Sequence, residues 1–272
     1  MIGWPLPPSR EGSCGSSVLL GMIDTGINAS HETFQGARLK LQRLGPTSVD
    51  PSRALHGTAV AALLVGHPEK RSPGLVSGAR LFAVDAFHRR GGDERADVFT
   101  LVQALGMLAV RNVEVLNLSL AGPDNAVLEA IINRLATENN IVIVSAVGNY
   151  GPRAAPAYPA AYDTVIAVTA VDRNSSIYRR AVRGPHVDLA APGVNVWTAA
   201  SISGARWKTG ASFAVPFVTA AAAMMRETRP DLSASEVREA IRERAVDLGA
   251  PGPDEIFGAG LLNIEGLCDD PA

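Results

Sequence analysis

Three side chains of the types that nucleophilic acyl transfer requires stand far apart in the chain, each in a small-residue setting with a glycine. They are Asp24 in IDTGI, His56 in HGTAVAALL and Ser212 in GASFAVP. A serine hydroxyl attacks a carbonyl only when a base removes its proton as the new bond forms, and an imidazole can do this near neutral pH. A carboxylate that holds the imidazole in one tautomer and stabilises the imidazolium completes the set. Each residue also has a plain structural reading: a turn aspartate before glycine, a hydrogen-bonding histidine at a helix entrance, a serine capping a helix. The setting of Ser212 adds chemistry. It stands at the mouth of an apolar, alanine-rich run with Pro216 close behind and no charge until Arg226, which reads as a buried helix beginning near the serine. Unpaired N–H groups and the positive end of the dipole at such a helix start favour the negative charge that acyl transfer develops.

The elements that must bring these residues together are legible as alternating apolar runs and helical periods. Val18–Ile23 is a short continuous apolar run ended by Asp24-Thr25-Gly26, which suits a strand covered on both faces. Similar strands are expected in ARLFAVDAF, Val113–Leu118, IVIVSAV, TVIAVTAVD and NVWTAA. Helices are expected from His56 to Leu64, over Asp97–Asn112, near Asn125–Asn139, behind Ser212, and over Ser233–Val246, where Ser233 and Glu236 make a capping box. This order argues for an open α/β fold with a mostly parallel, twisted sheet and helices on both faces, making three layers. Polar groups at the C-terminal ends of such strands, Asp24 among them, are where ligands collect. Residues 36–54 read as irregular, RRGGDE as a flexible exit, and SIYRRAVRGPHVDLAAPG as a less regular passage. No internal repeat or linker interrupts residues 1–272, so one domain is expected, with a lead-in (1–17), a core (18–263) and a C-terminal tail (264–272).

Composition bounds the partners. The chain has 272 residues, 47% hydrophobic and 19% charged, enough to bury a substantial core. A formal net charge of −2 gives no electrostatic reason to expect nucleic acid or an anionic membrane. No apolar run is long enough to span a bilayer. Residues 1–17 show neither the basic nor the continuous apolar region of a signal peptide, which fits either a cytoplasmic protein or a chain whose leader is missing. Cys14 and Cys268 are either a bridge between the termini or two unrelated thiols, and their spacing offers no metal pattern.

The order Asp24, His56, Ser212 in these contexts resembles the subtilisin-like serine peptidases, the subtilase family, whose usual motifs are D-[ST]-G, H-G-T-H-V-A and G-T-S-[MF]-A-x-P. SAVGNYG resembles the family's A-x-G-N segment and places Asn149 at its oxyanion position. The likeness runs from about Val18 to Asn263. It implies a serine endopeptidase working through an acyl-enzyme. Ser212 would be the nucleophile, His56 the base and then the acid, and Asp24 the group orienting the imidazole. The Asn149 side chain and the Ser212 N–H would form the oxyanion hole. It also implies that a peptide adds as a strand between Ser119-Leu120-Ala121-Gly122 and the segment containing Gly91 and Gly92. The first specificity pocket would be walled by Ser119–Ala121 and Ala146–Gly148, with Ala157 near its base and an apolar side chain preferred. The resemblance brings polypeptide substrates as partners, a cleaved propeptide or protein inhibitor as another occupant of the groove, and a secreted or otherwise extracytoplasmic location with the leader not visible here.

Departures are few. Ala59 replaces the family's second histidine, and Ala211 replaces the threonine before the nucleophile, which helps hold the oxyanion in relatives; neither supplies a triad atom. The loop GHPEKRSPG after the His56 helix lacks the Asn-rich turn of the family's best-known calcium site. No metal ligands are therefore assigned, and a structural calcium held by carboxylates and carbonyls of other loops stays open. His31, His67, His88 and His186 match no motif and are expected to be structural or superficial. Arg179, Arg180 and Arg183 form a basic cluster, read as a solvated face or as a docking point for an acidic partner or propeptide. Two other functions are compatible with the groove: a catalytically silent peptide-binding domain, and a peptide ligase or macrocyclase passing the acyl group to an amine. The first conflicts with an intact triad, the second with the lack of an insertion large enough to exclude water.

Overall fold

The computed structural model describes residues 14–45 and 49–268; the first thirteen residues of the lead-in and the last four of the tail lie outside them. Seven parallel strands form the central sheet in the order β2 (Arg38–Arg43), β3 (Arg80–Asp85), β1 (Leu19–Asp24), β6 (Val115–Leu118), β7 (Val142–Ala146), β8 (Val165–Val171), β9 (Leu189–Pro192). The inner strands are buried along almost their whole length, which is why they read as continuous apolar runs rather than alternating ones. Two apolar clusters sandwich the sheet. One joins it to α1 (His56–Val65), α4 (Val215–Thr228) and α5 (Ala234–Glu243); the other joins it to α2 (Val98–Val110) and α3 (Ala126–Thr137). The expected three-layer α/β architecture is thus present.

The chain leaves β1, builds β2 and β3 on one side, and crosses back to place β6 on the other. The crevice at the C-terminal ends of β1 and β6 is therefore a switch point, where α/β sheets bind ligands.

Four features of the sheet and its borders escaped the sequence. β2 lies in the stretch read as irregular: RLKLQR alternates leucine with charge, but only Leu39 is even half-buried, as befits a charged edge strand. β9 lies inside the passage read as less regular and ends on Pro192, which an edge strand tolerates. NVWTAA forms β10 (Val196–Ala199), yet β10 pairs with β11 (Ala205–Lys208) as a separate hairpin rather than joining the sheet. RRGGDE is also a hairpin, β4 (His88–Arg90) and β5 (Asp93–Arg95).

The helix starts follow local chemistry. The Asp97 side chain caps α2, that of Asn125 caps α3, and Ser233 with Glu236 forms the expected reciprocal box on α5. Cys14 and Cys268 are joined by a disulfide, with Cα atoms 5.7 Å apart across 254 residues. Glu227 at the end of α4 ties down the same N-terminal stretch by accepting from the backbone N–H groups of Gly15 and Ser17. Among the described residues no helix is long and apolar enough to cross a membrane.

Candidate active site

Asp24 is the last residue of β1, is 3% exposed, and accepts from the N–H of Thr25 at 2.7 Å. His56 opens α1. Its Nδ1 lies 2.8 Å from Asp24 Oδ1 and 3.0 Å from Oδ2. A carboxylate only accepts, so Nδ1 carries the hydrogen, and Nε2 of the neutral ring keeps its lone pair for a proton. Gly57 makes this approach physically feasible. A Cβ there would lie 2.3 Å from the Thr25 carbonyl oxygen and 2.8 Å from that of Gly26, so only glycine lets the first turn of α1 sit on the loop after β1. The Gly57 N–H donates to Thr25 Oγ1 at 3.0 Å, fixing the docking.

The same loop is braced from the next strand. Gly26 N–H donates to Ser52 Oγ at 2.7 Å, and Ser52 donates to Asp85 Oδ1 at 2.9 Å. Asp85 stands beside Asp24 in the β1–β3 register. Burial pushes its carboxyl above the ordinary carboxylate range, and the charge of Asp24 adds to this against its hydrogen bonds. For His56 the largest influence is burial, which pulls its pKa down. The charge and hydrogen bond of Asp24 together outweigh burial, so the imidazole titrates above its usual 6.5.

Ser212 lies in a short 3-10 turn, Ala211–Phe213, directly before α4, and is half-buried. The helix expected at the serine thus begins as a tight turn and becomes α-helical from Val215. The Phe213 ring packs against the His56 ring, with centroids 5.4 Å apart at 45°. This brings the imidazole beside the residue that follows the serine. Below the serine runs a chain of buried polar groups. Thr219 Oγ1 donates to Asn117 Oδ1 at 3.1 Å, Asn117 Nδ2 donates to Ser119 Oγ at 2.9 Å, and Ser119 Oγ donates to the Ser212 carbonyl at 2.8 Å. Asn117 and Thr219 are fully buried, and Ser119 is 5% exposed.

Asn149 follows β7 on the loop opposite. Its Oδ1 accepts from the N–H of Ala211 at 2.9 Å. A backbone N–H can only donate, so this bond sets the orientation of the amide and leaves Nδ2 as an uncommitted donor beside the serine turn. Arg180 holds the loop from behind: its Nε donates to the Asn149 carbonyl at 3.2 Å, and its own carbonyl accepts from Gly151 at 2.9 Å. One member of the basic cluster is thereby a structural clamp. His31 is structural too: buried, it accepts from Thr33 N–H at 3.1 Å and contacts the Gly204 carbonyl at 3.0 Å.

The walls of the cleft differ in part from the sequence reading. Gly122 exchanges both backbone hydrogen bonds with Tyr158, at 2.8 and 3.0 Å, so its N–H is already engaged. Gly91 and Gly92 form the two-residue tip of the β4–β5 hairpin, open to solvent. A cavity of about 310 Å³ is lined by Leu120–Gly122 together with Glu94, Arg95 and Ala96, with Val98, Leu101 and Leu128 supplying apolar surface. Gly91 and Gly92 are not among the residues that line this cavity, whereas Glu94 and Arg95 of β5 are. Ala157 is 3% exposed, and its methyl lies 3.3 Å from where a Cβ on Gly148 would be, which places it against the loop after β7. Sequence reasoning also missed Asn117, Thr219, Ser52 and Asp85. Of these, only the polar residues interrupting the apolar runs VEVLNL and FAVDAF carried a signal.

The arrangement matches known proteins along most of the chain. A family model described as Peptidase S8, subtilase family, covers residues 15–260. Subtilisin DY of Bacillus licheniformis is 31% identical over 263 residues, covering 94% of this chain and 92% of that protein. The minor extracellular protease Epr of Bacillus subtilis is 28% identical over 97% of this chain, which spans only 40% of Epr. Among solved structures, a serine-to-alanine mutant of the protease domain of PatA superposes with a TM-score of 0.81 at 26% identity, covering 92% of this chain and 93% of that one. The patellamide maturation protease PatA superposes at 0.78 with 28% identity, covering 92% and 95%. A fold, a motif order and a family match that agree over nearly the whole length make this chain a member of the subtilase family.

Proposed function

We propose that this protein is a serine endopeptidase in which Ser212 attacks the scissile carbonyl while His56 Nε2 takes its proton. The imidazolium, stabilised by Asp24, then protonates the departing amine, and water repeats the sequence on the acyl-enzyme. Asn149 Nδ2 and the Ser212 N–H stabilise the oxyanion. The observation that carries this reading is the two-pronged Asp24–His56 contact at the end of β1, with the imidazole packed against Phe213. Peptide backbone pairs with Ser119–Ala121 on one side and with β5 on the other, and a substrate side chain fills the cavity between them. A cleaved propeptide or protein inhibitor would occupy the same cleft. The disulfide and the similarity to a protease described as extracellular support an oxidising, extracytoplasmic location.

The likeness to a patellamide maturation protease favours a second reading of the natural role, the trimming of a precursor peptide rather than general digestion. Casein hydrolysis by the wild type and by His56→Ala tests the activity. The proposal expects loss of at least a thousandfold in the variant. Equal rates would remove His56 from the mechanism, and a wild type that binds peptide without cleaving it would favour the silent domain. Amine-dependent product in place of hydrolysis would favour acyl transfer.

A further inference from the structure

Tyr150, immediately after Asn149, is 64% exposed, yet it is anchored at both ends. Its ring lies 3.3 to 3.4 Å from where a Cβ on Gly148 would be, and the Ala157 methyl is 3.3 Å from the same point. Its hydroxyl reaches the opposite wall and donates to the Ala121 carbonyl at 3.3 Å, a long hydrogen bond. The side chain therefore bridges the two segments, Ser119–Ala121 and Ala146–Gly148, between which the substrate residue on the acyl side of the scissile bond has to enter. Its base is held still: Arg180 fixes the backbone on both sides of Tyr150, and Gly148 at φ +93° admits no side chain that could push the ring aside.

We infer that Tyr150 is a latch and filter on this pocket, restricting the enzyme to substrates with a small side chain, of the alanine or glycine class, at the acyl position. The inference rests on the peptidase reading of the cleft and names the substrate class of that site. Ring and hydroxyl have separable roles. The ring roofs the space beside Gly148, so a large side chain meets it, with Ala157 closing the other side. The hydroxyl occupies an acceptor on the strand that a bound peptide pairs with, since Gly122 next to it is already committed to Tyr158. A peptide N–H that pairs with the Ala121 carbonyl competes with the hydroxyl for it.

The test is kcat/KM on peptide p-nitroanilides that differ only in the residue before the scissile bond, alanine against phenylalanine, for the wild type, Tyr150→Ala and Tyr150→Phe. The wild type should favour alanine. Tyr150→Ala should shift the phenylalanine-to-alanine ratio toward phenylalanine by about tenfold or more, the scale on which a pocket discriminates one or two carbon groups. Tyr150→Phe keeps the roof and removes the competing bond. It should hold the ratio within about twofold of wild type while lowering KM for both substrates by about two- to tenfold, as a net hydrogen bond predicts.

Binding of N-acetyl-Ala-Ala-Pro-Ala and N-acetyl-Ala-Ala-Pro-Phe acids to Ser212→Ala, with and without Tyr150→Ala, gives the same comparison by calorimetry without turnover. Failure of hydrolysis alone thus bears on the peptidase reading, and the filter is judged by the binding ratio. A wild-type preference for phenylalanine, or a ratio unchanged in Tyr150→Ala, would overturn it.

Discussion

At the scale of single residues, the candidate site combines a histidine whose partner overcomes its burial with an amide whose orientation is locked. Because His56 titrates above 6.5 and must be neutral to act as a base, kcat/KM should rise with pH along a limb centred above 6.5. In Asp24→Asn the carboxylate charge is gone while burial remains. The limb should then move below 6.5, with a drop in kcat of about 10⁴ by analogy with serine proteases. A limb that stays in place would mean that Asp24 does not govern the imidazole. The same shift has a stability sign. A histidine whose pKa is raised on folding contributes stability that is fully present below the unfolded value and lost as pH rises through the folded one. With Asn149 in its proposed role as oxyanion donor, Asn149→Ala should lower kcat by about 10²–10³, the size measured for the oxyanion asparagine of subtilisin, with little change in KM. Equal effects on kcat and KM would make Asn149 a structural residue. The chemical identities of these residues were readable because acyl transfer admits few side-chain types. Their supports were not: Ser52 and Arg180 hold backbone groups, and Asp85 holds the Ser52 hydroxyl, all brought close only by the fold.

Elements set the geometry between those residues. α1 reaches Asp24 because Gly57 lacks a side chain, and the carbonyl it would strike is backbone that cannot yield. Gly57→Ala should therefore lower stability by about 3 kcal/mol, at the upper end for overpacking, and displace His56 as well. A circular-dichroism melt unchanged by the substitution would refute this. β6 and α4 are tied under the nucleophile by Thr219, Asn117 and Ser119. Asn117→Ala leaves the buried Thr219 hydroxyl without its acceptor and removes the donor to Ser119, which should cost about 1–3 kcal/mol. It should also reduce kcat more than it raises KM, because Ser119, which donates to the Ser212 carbonyl, loses the group that orients it. Elements with a strong period, such as α2 and α3, and strands covered on both faces were predicted nearly in place. β2 and the hairpin of β4 and β5 were not, since they are too exposed to leave a pattern, and β9, though buried, is only four residues long and ends on a proline. The same limit explains the cleft wall. Only the folded chain shows that Glu94–Ala96, rather than Gly91 and Gly92, line the same cavity as Leu120.

At the scale of the whole molecule, residues 254 positions apart close the fold through one disulfide, while Glu227 fastens the adjoining segment. The sequence left the pairing open because two distant cysteines carry no geometry. Replacing both with serine in a Ser212→Ala background, where self-digestion cannot interfere, should cost about 2–4 kcal/mol. For a domain of this size that is a fall in Tm of about 5–15 °C, measurable by calorimetry. An unchanged Tm would show the bridge to be energetically idle.

The family match makes peptide hydrolysis the natural expectation, and what it leaves to be tested in this chain is the nucleophile. Treating the purified protein with a fluorophosphonate and weighing the intact chain tests that claim most directly. The account predicts one adduct per chain on Ser212, abolished in Ser212→Ala and strongly slowed in His56→Ala. An adduct that persists undiminished in Ser212→Ala would contradict it.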